Sequence, residues 1–157
     1  MEKISIAFFK GGDNLFHKIV RWWTKSPYSH AELIMPTGEW ISISPFLAKQ
    51  VESRTGPDAP MCQWDFIEIE VNDKKIESLE RFYELTKGQK YDWFGMIASQ
   101  LLPFHIKARG RWYCSEWIAH ALVYSRIVMW DDMDLYDTPE MSPGKLYELL
   151  VSHADEK

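Results

Sequence analysis

The stretch Arg111-Trp-Tyr-Cys-Ser-Glu-Trp-Ile-Ala-His-Ala-Leu-Val123 places a cysteine where a polar, glycine-containing loop changes into a helical pattern. Apolar residues follow Cys114 at spacings of three, four, seven and eight, namely Trp117, Ile118, Ala121 and Leu122. The cysteine therefore shares the inward stripe of the helix that it begins. A helix start also brings the positive end of the helix dipole and unpaired backbone N–H groups to the sulfur, which favours the thiolate. Cys114 is thus either a prepared nucleophile or a small buried hydrophobe, the commoner role of a free cysteine.

The length, composition and charge of the chain limit the classes of protein to which it can belong. With 157 residues, of which 46% are apolar, we expect one domain over residues 1–157. The net charge of −5 argues against a nucleic acid as the main partner, because binding phosphates requires a basic surface. The N-terminus has no basic segment followed by a long apolar one, and no apolar run is long enough to span a bilayer. We therefore expect a cytoplasmic protein.

The two cysteines of the sequence, Cys62 and Cys114, do not form a disulfide framework. Neither has a second cysteine at the spacing of a zinc finger, and the histidines and carboxylates show no strong metal-ligand spacing. We expect both cysteines to be reduced thiols, and we expect neither a metal nor a cofactor.

The first half of the chain reads as strands. A short apolar run at 4–9 ends in two glycines and predicts a buried strand, and a helix capped by Asp13 or Asn14 follows it. Residues 30–35 and 39–44 flank a Pro-Thr-Gly turn and predict a hairpin. A short strand is expected within the irregular region near 50–54, and residues 64–71 alternate as a strand with one solvated face.

The second half reads as helices. A helix is expected from Asn72 or Asp73 to residue 87, a second, almost wholly apolar one over 92–102, and then the helix of Cys114. After an acidic loop at 131–137, Ser142-Pro143 has the residues of a cap and first turn. Strands gathered early and helices gathered late predict an α+β domain.

His30 is the main candidate for a base that would act on Cys114. Strand alternation places His30, Glu32 and Ile34 on one face of their strand and Ala31, Leu33 and Met35 on the other. We expect His30 to reach Cys114 only if its own face is the one that the cysteine helix covers. The alternative is that His30 has no catalytic role and is a half-exposed polar residue at a strand end.

The imidazole of a Cys–His pair also needs a third group that orients it. Ser42 and Ser44 share one face of the returning strand and are the candidates for this role. His105 is the rival base, because it is close to Cys114 in sequence. We expect His17 and His120 to be surface or packing residues, and Glu116 to have a structural role in the first helical turn.

Six segments together carry a resemblance to a known family. They are Tyr-Ser-His-Ala-Glu-Leu at 28–33, Ile-Ser-Ile-Ser-Pro at 41–45, Trp64-Asp-Phe-Ile67, Tyr91-Asp-Trp-Phe-Gly95, Trp112-Tyr-Cys-Ser-Glu-Trp117 and Ser142-Pro-Gly-Lys-Leu-Tyr147. In their order and setting, over nearly the whole chain, the sequence resembles the permuted papain-like cysteine hydrolases of the NlpC/P60 superfamily, with its YiiX/YebB-like amidases.

The resemblance implies a circularly permuted papain-like α+β fold, with an antiparallel sheet packed on the cysteine-bearing helix. By this resemblance Cys114 is the nucleophile and His30 the base. The third polar group of the family, often Glu or His, lies on the strand after the histidine, where this chain offers serines. We choose Ser44 over Ser42, because the family's acidic position falls near the end of that strand.

The implied activity is that of a thiol hydrolase, a peptidase or amidase that cleaves an amide or ester bond through a thioester. The alternatives are an acyltransferase of the same fold that acts on a lipid or amine, and a non-catalytic binding or inhibitory protein. The latter is suggested by the serine at the third position. The expected partner is a small-molecule, peptide or acyl substrate. Segments 18–25 and 104–112 could touch a membrane, but we favour a solvated helix face because basic residues are few. The oligomeric state stays open.

Overall fold

A five-stranded antiparallel sheet carries the site, and it is seen in a computed structural model that describes residues 1–44, 50–91, 111–130 and 141–155. Within these ranges the sheet is combined with four α-helices, so the predicted α+β class is confirmed. The spatial order of the strands is β4-β3-β2-β1-β5. Their bounds are β1 (Glu2–Phe9), β2 (His30–Ile34), β3 (Glu39–Ser42), β4 (Glu52–Thr55) and β5 (Trp64–Val71).

The sheet has a large core on one face and a small aromatic cluster on the other. Alternate residues of β1 point to opposite faces, as the pleat of a strand requires. Ile4, Ile6 and Phe8 belong to the large core, together with Ala31 and Leu33 of β2 and side chains of three helices. The small cluster, on the opposite face, contains Ala7, Phe9, Trp40 and Trp64. Both faces of β1 are therefore buried, as expected for a central strand.

Three of the four described helices begin at a side-chain cap, and the helix of Cys114 begins after Tyr113 without one. They are α1 (Leu15–Thr24), α2 (Asp73–Thr86), α3 (Cys114–Tyr124) and α4 (Pro143–Asp155). The Oδ1 atom of Asn14 accepts from His17 N–H at 3.0 Å, and that of Asn72 accepts from Lys75 N–H at 3.1 Å. The Ser142 hydroxyl accepts from Lys145 N–H at 3.2 Å, so the predicted Ser-Pro start of the last helix is confirmed.

A short parallel strand pair anchors the chain just before α3. β6 (Lys90–Tyr91) pairs with β7 (Arg111–Trp112), and only Tyr113 separates β7 from Cys114. β6 is in turn tied to the segment before β4, because Val51 N–H donates to Gln89 O at 2.8 Å and Gly88 N–H donates to Val51 O at 2.9 Å. This connection fixes the start of α3 relative to the sheet.

Some predictions fall outside the described residues: the helix at 92–102, most of the basic segment that contains His105, and the acidic loop at 131–137. In the part of the chain that the structure describes, no helix has the length and apolar character needed to cross a bilayer.

Candidate functional site

Cys114 is the first residue of α3, and its side chain is 7% exposed. Its sulfur accepts hydrogen bonds from the backbone N–H groups of Ala31 and Ser115 and is hydrogen-bonded to the His30 side chain. Backbone N–H groups in the first turn of a helix have no intrahelical acceptor, so they are available to a negative sulfur. The structure thus brings together Cys114 and His30, which the sequence placed 84 positions apart (114 − 30).

The pairing of β2 explains why Cys114 can approach its first residues. β2 is paired with β3 at Leu33 and Ile34, and β3 ends at Ser42. Ahead of that pairing the Ala31 N–H donates to the Cys114 sulfur instead of to a neighbouring strand. The Cys114 sulfur therefore lies beside Ala31, at a position along β2 that is not paired with β3.

We expected His30 to reach Cys114 only from the face of β2 that α3 covers, but His30 lies on the opposite face. Ala31 and Leu33 lie in the large core with residues of α3, whereas Ile34, which shares a face with His30, packs against the small aromatic cluster. The His30 ring lies 6.3 Å from the Trp64 ring on that side, centroid to centroid. His30 is nevertheless hydrogen-bonded to Cys114, and it is the first residue of β2, ahead of the positions at which β2 pairs with β3. The condition set from strand alternation was too strict for a strand-end residue.

Glu32 is the group that is hydrogen-bonded to the imidazole. Its Oε1 atom lies 3.0 Å from His30 Nε2, and its side chain is 1% exposed. This differs from the prediction, which gave the orienting role to a serine of the returning strand. The signal was present in the sequence, because a His-x-Glu spacing in a strand places both side chains on one face. The resemblance, in contrast, implies a third group on the next strand.

The two predicted serines have other positions. The Ser42 hydroxyl accepts from Arg54 Nη1 at 3.2 Å, so it is linked to Glu32 through Arg54. Ser44 lies two residues beyond the end of β3 and is half-buried. A role for Ser44 in orienting His30 stays a prediction.

Arg54 of β4 completes the surroundings of Glu32. Its Nη2 atom lies 2.7 Å from Glu32 Oε2 and 2.8 Å from Oε1. The same guanidinium donates through Nε to Gly56 O at 2.9 Å and contacts Asp58 Oδ1 at 3.3 Å. A continuous chain of polar contacts therefore runs from Arg54 through Glu32 and His30 to Cys114. Arg54 was not identified from the sequence, which gave no register for β4 against β3.

The electrostatics of this chain favour a thiolate–imidazolium pair. Burial alone would disfavour the charged form of His30, but the negative sulfur of Cys114 and the Glu32 carboxylate raise its pKa from 6.5 to about 10. Burial likewise opposes the Cys114 thiolate, but the His30 charge and the hydrogen bonds to the sulfur lower the pKa of the thiol below 9.0. Burial also works against the Glu32 carboxylate, and its contacts with His30 and Arg54 lower its pKa.

His17 lies closer to this pair than the sequence indicated. Its Nδ1 atom is 2.7 Å from the hydroxyl of Ser29, the buried residue that precedes His30. Burial lowers the pKa of His17, and the positive charges of His30 and Arg21 lower it further. A neutral imidazole is therefore held beside the charged one. The prediction of a packing role agrees with its edge-on contact with the Phe9 ring, 5.1 Å between centroids.

The remaining candidates are placed as follows. Cys62 is exposed and lies in the 3₁₀ turn Met61–Gln63, in a different part of the chain from Cys114. Glu116 is buried in the first turn of α3, and His120 is half-buried on the same helix. His105, the rival base, lies outside the described residues. Among the residues that the structure describes, no group of three or more His, Cys, Asp or Glu side chains could hold a metal ion.

The arrangement contains the parts that nucleophilic acyl chemistry requires: a thiol with a lowered pKa, a base in contact with it, and a carboxylate that holds the base. Comparisons of the chain with protein-family models, with curated proteins and with solved structures gave no match.

Proposed function

We propose that the protein is a thiol hydrolase of permuted papain-like fold that cleaves an amide or ester bond. One observation carries the proposal: Cys114 at the start of α3 is hydrogen-bonded to His30, and His30 is hydrogen-bonded to the buried carboxylate of Glu32. The order of these residues along the chain, histidine strand first and cysteine helix late, agrees with the resemblance to the NlpC/P60 superfamily.

In the first step the Cys114 thiolate attacks the carbonyl carbon of the substrate, and a carbon–sulfur bond forms as the carbonyl π electrons move onto oxygen. The backbone N–H of Cys114, in the first turn of α3, is the proposed donor to this oxyanion. When the tetrahedral intermediate collapses, the bond to the leaving nitrogen or oxygen breaks. The His30 imidazolium gives its proton to that atom, and a thioester remains on Cys114.

In the second step the neutral His30 takes a proton from water as the water oxygen attacks the thioester carbonyl. The carbon–sulfur bond then breaks, the carboxylic acid leaves, and the thiolate–imidazolium pair is restored. Glu32 accepts the hydrogen bond from His30 throughout and stabilises the charged ring, as a triad carboxylate does. Transfer to an amine or lipid would replace the water by another acceptor.

The binding or inhibitory alternative was based on a serine in place of an acidic third group. That basis weakens, because a carboxylate is hydrogen-bonded to His30 from within its own strand. The hydrolase is therefore the function that the geometry of the site supports best.

Incubation with a panel of p-nitrophenyl esters and anilides, followed by intact-mass and peptide analysis, tests the proposal. We expect an acyl group on Cys114 that hydroxylamine removes, and no such adduct in Cys114→Ala or His30→Ala. Release of p-nitrophenol that continues undiminished in Cys114→Ala, without any adduct on the wild type, would exclude this mechanism.

A further inference from the structure

Arg54 makes more polar contacts around the candidate site than packing of β4 requires. It is held by the Gly56 carbonyl and the Ser42 hydroxyl, and its guanidinium lies 6.0 Å from the centre of the Trp40 ring. Its side chain is 27% exposed, whereas that of Glu32 is 1% exposed. Arg54 is thus a fixed cation at the solvent side of a buried anion.

Burying a carboxylate at this depth is costly unless the charge is paired, and an unpaired one takes up a proton instead. A protonated Glu32 would lose the charge that stabilises the His30 imidazolium. Both Glu32 oxygens face Arg54 Nη2, and Oε1 also faces His30 Nε2. Arg54 therefore provides a second cation beside the Glu32 carboxylate.

We propose that Arg54 is a positioning residue for the proposed hydrolase, which keeps Glu32 as the anion that holds His30 and so sets the acid limit of Cys114 reactivity. This inference rests on the proposed function and concerns a residue that acts on His30 through Glu32. Among the residues that the structure describes, the charged and titratable groups at the Arg54–Glu32 pair are His30 and Asp58, and Cys114 and His17 interact with His30 in turn.

The sign of the effect follows from the pairing. Without Arg54 the pKa of Glu32 rises, since burial raises this pKa and one of the two cations that lower it is gone. As the pH falls, Glu32 then protonates earlier, the imidazolium loses its partner, and the Cys114 thiolate is lost at a higher pH. Lysine keeps the charge but not the planar fork that reaches Glu32, Ser42 and Gly56 together, so Arg54→Lys should have an intermediate effect.

The experiment is the rate of Cys114 alkylation by iodoacetamide against pH in the wild type, Arg54→Gln, Arg54→Lys and the surface control Arg81→Gln. In Arg54→Gln we expect the acid limb, the part of the profile where the alkylation rate falls as the pH falls, to shift to higher pH by about one unit. At a given pH on that limb the rate should then be lower by about tenfold. Arg81, exposed on α2, should leave the limb unchanged. In Arg54→Ala, added guanidinium ion should restore part of the rate at acid pH.

Superposable acid limbs in the wild type and Arg54→Gln would overturn the positioning role and leave the proposed function standing. If the wild type itself has no acid-pH thiolate, both proposals fail. Should Arg54→Gln not fold, the Arg54→Lys limb decides: a shift supports the role and coincidence with the wild type overturns it.

Discussion

Among Cys114, His30 and Glu32, Glu32 has the smallest accessible surface. It is 1% exposed, yet its pKa is lowered from 4.5, because His30 and Arg54 together outweigh the effect of burial. A side chain of this kind is rarely buried without a partner. Here the two partners are a cation on β4 and the histidine whose orientation it fixes.

The first prediction concerns this carboxylate. Glu32→Gln keeps the size of the side chain but removes the charge, so the imidazolium loses its charge-assisted hydrogen bond. We expect kcat/KM on an activated ester to fall by up to about 10⁴-fold, the loss found when a triad carboxylate becomes an amide. Glu39→Gln, at the exposed start of β3, is the matched control and should be unchanged.

Ser44→Ala provides the comparison on the strand where the third group was expected. A neutral hydroxyl can hold one tautomer of an imidazole, but it cannot stabilise the imidazolium as a carboxylate does. The effect of Ser44→Ala on the thiolate absorbance of Cys114 should therefore be smaller than that of Glu32→Gln. The reverse order would return the orienting role to the serine.

The pair of candidate residues was predictable at this scale, whereas its supports were not. Cys114 and His30 follow from a helix start and a strand start in the sequence. Glu32 shares the face of His30 and could have been named from the period of a strand alone. Arg54 could not, because its approach to Glu32 depends on the pairing of Trp40 with Arg54 across β3 and β4.

At the scale of the elements, a buried polar contact joins α2 and α3. The indole N–H of Trp117 donates to the Thr86 hydroxyl at 2.8 Å, and both side chains are buried. Thr86 in turn donates to the carbonyl of Phe82 at 2.8 Å. This contact ties the last turn of α2 to the first turn of the cysteine helix.

The second prediction is that Thr86→Val destabilises the protein. Valine keeps the shape of threonine but leaves the buried indole N–H without an acceptor, which costs about 1–3 kcal/mol. Urea unfolding measures the change. Thr24→Val on α1 is the matched control, since its hydroxyl bonds the carbonyl of Val20 in the same way without holding an indole. Equal losses in the two variants would show that the indole contact contributes nothing.

Caps and strand periods were the most informative local signals. Asn14, Asn72 and Ser142 cap the helices that the sequence assigned to them, and β5 has the predicted bounds 64–71. The returning strand is shorter than predicted, because β3 ends at Ser42 instead of residue 44. That early end leaves the Ala31 N–H available to Cys114, and no local pattern in the sequence indicates where two strands diverge.

At the scale of the whole molecule, the Cys114–His30 pair should give stability a characteristic dependence on pH. Unfolded, the two groups titrate near 6.5 and 9.0; folded, the pKa of His30 is raised to about 10 and that of Cys114 is lowered. The raised pKa of His30 makes stability fall as the pH rises from 6.5 to about 10, because the folded state keeps a proton that the unfolded state has lost. The lowered pKa of Cys114 has the opposite sign and makes stability rise as the pH rises toward 9.0, so the two effects oppose each other below that pH.

Above 9.0 the unfolded pair holds no proton, whereas the folded pair keeps one until about pH 10. Stability should then fall as the pH rises, with a limiting slope of about 1.4 kcal/mol per pH unit. The measurement is the difference in unfolding free energy between the wild type and Cys114→Ala/His30→Ala from pH 6 to 10. A difference that is independent of pH would mean that the pair is not charged in the folded protein.

The α+β class followed from the order of strands and helices, and the position of the site followed from two short motifs. What the sequence did not provide was long-range geometry, such as the register of β4 and the face of β2 that α3 covers. Such contacts join residues far apart in the chain, so no local period reports them.

The central claim is that Cys114 is a thiolate paired with His30, and its alkylation rate against pH, resolved from that of Cys62 by peptide mapping, tests it most directly. We expect Cys114 to react at pH values below the ordinary thiol pKa of 9.0, and to lose that reactivity in His30→Ala. Cys62, exposed in its turn, serves as the internal reference. If alkylation of wild-type Cys114 begins only near pH 9.0 or above, and His30→Ala does not change it, the sulfur is not held as a thiolate and the pair does not exist.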